Sequence, residues 1–209
     1  MKSNDIDNIN KIWAYLTSLL RENDILRRAV ESKVLELSDY NLCSESTGVP
    51  TIELYEFNDI SGVIIDSIEG RPSGTIRICG GFLDSTEDDE VFFDSTREVY
   101  EFLLEELLPQ LTLFVRMPHR LFEIAVLEYM EELKNQNFYV SINWEKTNIA
   151  HVGIFGIHNG LTFDFSEPGL IKVYYRGILV YTNYTEKTID NWLNLLYSIF
   201  PNTLIYLES

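Results

Sequence analysis

Apolar residues recur at helical spacing from the start of the chain, at Ile6, Ile9, Ile12, Trp13, Leu16, Leu19 and Leu20, which predicts an amphipathic helix capped by Ser3 or Asn4. A turn at Asn23 and Asp24 leads to a second helical pattern over Ile25–Leu37, with Leu26, Ala29, Val30, Val34 and Leu37 inward, so the two predict a helical hairpin. Ser38–Pro50 is polar and reads as a loop. The pattern then shortens to strand length over Thr51–Phe57, Gly62–Ile68 and Thr75–Cys79, divided by Asn, Asp, Gly and Pro, as in an antiparallel meander.

Ser95 with Glu98 forms a capping box for a helix to about Leu108, which Pro109 should stop, and Thr112–Arg116 reads as a short strand. Pro118 opens a long helix to about Lys134 through Leu121, Ala125, Tyr129 and Leu133. Five strand-like runs follow, Phe138–Trp144, Val152–Ile157, Leu161–Phe165, Leu170–Tyr175 and Ile178–Tyr181. Asn159-Gly160 is a strong hairpin signal among them and Arg176-Gly177 a weaker one. Thr185 caps a last helix ended by Pro201, and Thr203–Leu207 reads as a final strand.

The implied class is α+β: antiparallel sheets with flanking helices, divided into an acidic N-terminal unit over 1–117 and a second unit over 118–209. Both follow one plan of helix, strands, helix, proline and strand. A shift of 92 residues aligns Thr96 with Thr188, Leu103 and Leu104 with Leu195 and Leu196, and Pro109 with Pro201, which is the case for two copies of one unit. The acids Glu101 and Glu105 then correspond to Leu193 and Tyr197, so only the first copy would present acid.

Charge changes the picture most. The net charge is −17, which argues against direct binding to nucleic acid or anionic membrane. Residues 1–118 carry 23 acids against 10 bases, and residues 119–209 carry 10 against 6, so the front half holds most of the field. The densest stretch is Asp84–Glu106, with ten carboxylates in 23 residues against Arg97 alone. On a helix, Asp94, Glu98, Glu101 and Glu105 fall within roughly 60° of one another and opposite Val99, Tyr100, Leu103 and Leu107, and Asp84, Glu87, Asp88, Asp89 and Glu90 extend the same sign upstream. These nine acids are the candidate partner-binding residues. An ordinary solvated helix face is the competing reading, since like-charge neighbours cost only about 0.2–0.5 kcal/mol each.

Recognisable chemistry is sparse. Cys43 and Cys79 suggest neither a disulfide framework nor a zinc site, and the acidic start MKSNDIDNINKIW is unlike a signal peptide, so a cytoplasmic protein without metal or cofactor is expected. No Walker loop, G-x-S-x-G or H-E-x-x-H occurs, and Asp84–Glu90 lacks the glycine and alternating ligands of a calcium loop. His119, His151 and His158 have no spacing that brings them together. Tyr174, Tyr175, Tyr181 and Tyr184 are candidate interface anchors.

The expected function is therefore a non-enzymatic acidic binding protein that inhibits or neutralises a basic protein, such as a nuclease or nucleic-acid-binding complex. Both a toxin immunity protein and a phage or mobile-element anti-defence inhibitor fit. The four stripe acids give one charge per roughly 4–5.5 Å, against one per about 1.7 Å in duplex DNA, so the helix alone is a poor nucleic-acid mimic. The rivals are an enzyme with an unfamiliar hydrolytic site and a chaperone or assembly subunit.

Overall fold

A computed structural model describes residues 3–40, 51–56, 62–67, 75–80, 90–134, 139–146, 148–155 and 157–205. The chain divides into two compact units, Met1–Val115 and Arg116–Ser209, and the fold is α+β.

In the first unit, α1 (Ser3–Glu22) and α2 (Asp24–Glu31) form the expected hairpin, with Asn23 capping α2 by accepting from the Leu26 N–H at 3.3 Å. The second helix is shorter than its apolar spacing implies. Lys33 adopts φ 64°, the left-handed conformation that ends helices, and Leu35–Tyr40 is a strand, β1. The meander continues through β2 (Thr51–Glu56), β3 (Gly62–Ser67), β4 (Ile76–Gly80) and β5 (Glu90–Phe93), all antiparallel and in sequential order. Ile52, Leu54, Val63, Ile65, Ile76 and Ile78 alternate onto one buried face, and α1 covers it with Ile9, Ile12, Leu16 and Leu20.

The chain then forms α3 (Thr96–Phe102), a π-helical turn (Leu103–Leu107) and α4 (Leu108–Val115). Pro109 therefore does not stop the helix, and the strand expected at Thr112–Arg116 is helical through Val115. Leu111 and Val115 are fully buried one turn apart, and that burial outweighs the strand propensity of the run.

The second unit has one helix before its five strands, where the first has a hairpin of two, and one helix after them. It runs from α5 (Pro118–Lys134) through β6 (Tyr139–Lys146), β7 (Ile149–Phe155), β8 (Ile157–Asp164), β9 (Leu170–Tyr175) and β10 (Ile178–Tyr184) to α6 (Ile189–Ile205). The five strands are again a sequential antiparallel sheet, with β6 and β10 at its edges. An aromatic cluster fills the core: the Phe122 ring lies 4.6 Å from Phe163 and 5.2 Å from Trp192. The Tyr197 hydroxyl on α6 donates to Glu132 on α5, and this bond pushes the phenol up to about 12.

Two turn expectations change places. Asn159 and Gly160 lie inside β8, whereas Arg176 and Gly177 form the β9–β10 hairpin with φ 51° and 76°, both positive as a two-residue hairpin turn requires. The cap of α6 is Thr188, whose hydroxyl accepts from the Asn191 N–H at 3.2 Å, while the Thr185 N–H is tied to the Gly169 carbonyl. Helix α6 passes through Pro201, so residues 203–205 are helix rather than strand, and residues 206–207 of that expected strand lie outside the described residues. A proline removes one helical hydrogen bond, and the buried face of Trp192, Leu195, Leu196 and Phe200 holds the turns before it.

Candidate functional site

The expected acidic surface centres on α3 and the π turn. Ser95 has extended backbone, and its hydroxyl accepts from the Glu98 N–H at 3.3 Å. Glu98 reaches back to accept from the Asp94 N–H at 3.1 Å, one residue beyond the usual capping-box partner.

The π turn follows from the sequence. Val99, Leu103, Leu107, Leu111 and Val115 are all buried at a strict spacing of four residues. On a regular α-helix the last of these would have drifted about 160° from the first, and the one extra residue of a π turn removes about 100° of that drift. The Leu108 N–H donates to the Leu103 carbonyl, closing the wide turn. It also opens the helix where the Pro109 ring would meet the carbonyl four residues earlier. On the other side, Arg97, Glu101, Glu105, Pro109 and Leu113 form a matching exposed line.

The nine candidate acids divide into three groups. Asp84, Glu87, Asp88 and Asp89 lie outside the described residues. Glu90 stands on β5, paired with Cys79 on the sheet face opposite the buried Ile76 and Ile78, and accepts from Arg77 Nη1 at 2.9 Å. It therefore belongs to a cross-strand cluster on the sheet rather than to the helix stripe. Asp94, Glu98, Glu101 and Glu105 are all exposed, and Glu106 in the π turn is exposed beside them. Their charge is partly answered. Glu101 accepts from Arg97 Nε at 2.9 Å, and Glu98 is occupied by the cap. Among the described residues no base pairs with Glu105 or Glu106.

The cluster around Glu90 rests on cross-strand register. Asp66 and Arg77 face each other across β3 and β4, and Arg77 donates to both Asp66 oxygens, at 3.0 and 2.7 Å. The Asp66 bonds raise the Arg77 guanidinium above its ordinary pKa. Burial pushes the neighbouring Cys79 thiol up, which disfavours the thiolate.

In the second unit, His119 packs edge-on against Trp144 at 6.1 Å, and burial holds its pKa below the ordinary value despite nearby Glu123. Glu123 accepts from Trp144 Nε1 at 3.0 Å and from Arg120 Nη1 at 2.9 Å, so its carboxylate is committed to packing. The His158 side chain lies outside the described residues.

His151 is the one histidine that sequence reasoning undervalued. Its Nε2 lies 3.1 Å from Glu145 Oε2 and its Nδ1 3.0 Å from Thr162 Oγ1. Only the register reveals this, because Thr162 is directly opposite His151 on β8 and Glu145 is the extra residue of a bulge in β6. The order hydroxyl, imidazole, carboxylate is that of a nucleophile relay. It stands on an open sheet face, however, with His151 45% and Glu145 57% exposed, where water competes for each bond. We read it as a cross-strand clasp.

Among the described residues no group of three metal-ligating side chains converges, and no helix is long and apolar enough to cross a membrane. No protein-family model, curated protein or solved structure matches the chain.

Proposed function

We propose that this protein binds a cationic protein surface through the exposed side of α3, the π turn and α4, and thereby inhibits or neutralises that partner without catalysis of its own. The observation that carries the reading is the outward line Glu101, Glu105, Pro109 and Leu113, flanked by Asp94, Glu98 and Glu106, with Arg97 the only base from residue 94 to residue 115. Acids at one end would steer a basic partner at long range. Leu113 at the other end, 68% exposed, would supply apolar contact on docking. The asymmetry between units points the same way, since residues 1–115 carry 23 acids against 9 bases and residues 116–209 carry 10 against 7. A nuclease or nucleic-acid-binding complex is the class of partner whose groove has the required sign.

The test compares the wild-type chain with Glu105→Lys/Glu106→Lys as bait in the cells that express it. A basic protein should be retained at low salt, released as ionic strength rises, and absent from the variant. Its activity should fall when the wild-type chain is added back. Retention of the same partner by the variant would remove the proposal.

A further inference from the structure

We draw no further inference here: the strongest candidate, the uncharged outer edge of the second sheet at β10, where Ile178, Leu179, Val180 and Tyr184 are exposed, carries nothing because no feature of the structure shows what covers it.

Discussion

Arg77 and Asp66 are direct neighbours across β3 and β4, and the guanidinium grips both carboxylate oxygens while its remaining nitrogen reaches Glu90. Asp66 is buried, so Arg77→Met would strand its charge in the sheet. Breaking a buried pair from one side costs about 3–5 kcal/mol. With Arg77 itself 31% exposed, solvent screening reduces that cost to about 2–3 kcal/mol. Asp66→Leu together with Arg77→Met should recover most of the loss, because no unpaired charge then remains. Urea unfolding of the two single variants and the double variant measures both effects.

The capping role of Glu98 decides which charge reversals are informative. Ser95→Ala should cost about 1 kcal/mol by freeing the Glu98 N–H, and Glu98→Lys should cost roughly 0.5–1 kcal/mol, since it breaks the bond to the Asp94 N–H and sets a cation at a helix N-terminus. Glu105→Lys/Glu106→Lys carries neither liability and should change stability by no more than about 0.5 kcal/mol per site. Thermal melts of the three variants separate loss of fold from loss of binding.

Much of the fold is legible where alternation or helical spacing meets a turn residue, as in Gly62–Ser67, Leu170–Tyr175 and Pro118–Lys134. Strand β1 is concealed because Val34 and Leu37 continue the spacing of the preceding helix, and β5 because Glu90–Phe93 sits in a run of acids. The helix through Pro109 was also readable, since apolar residues every four positions from Val99 to Val115 fit only a helix with a widened turn. For the site, helical phase suffices to expose Asp94, Glu98, Glu101 and Glu105 together. The Arg77 bonds to Asp66 and Glu90 span 11 and 13 residues and depend on strand register, which local pattern does not determine.

His119 makes the second unit sensitive to mild acid. Burial beside Trp144 holds its folded pKa below the ordinary 6.5, so below that value the unfolded chain takes up a proton more readily than the folded one. The contribution of a neutral His119 is complete above about pH 6.5 and is lost as pH falls toward the lower folded value. Melts between about pH 7.5 and 5 should show a decline that is shallower in His119→Gln. An identical decline in both proteins would show that His119 does not set it.

Gly160 and Gly153 offer a sharper contrast, because both lie in strands of one sheet and only one has room. A Cβ on Gly160 would stand 2.7 Å from the Val152 carbonyl oxygen and 3.3 Å from Gly153 Cα, both backbone atoms held by the β7–β8 pairing. That pairing shifts register between Val152 and Ile154, so the close approach is a product of the bulge, and relief requires moving a strand. A Cβ on Gly153 would meet only the Ser141 hydroxyl at 3.2 Å, at the end of a side chain that can rotate away. Gly160→Ala should therefore lose about 1–3 kcal/mol, with Gly153→Ala within about 1 kcal/mol of wild type. Equal losses in urea unfolding would mean that β7 and β8 do not approach as closely at Gly160 as the bulge requires.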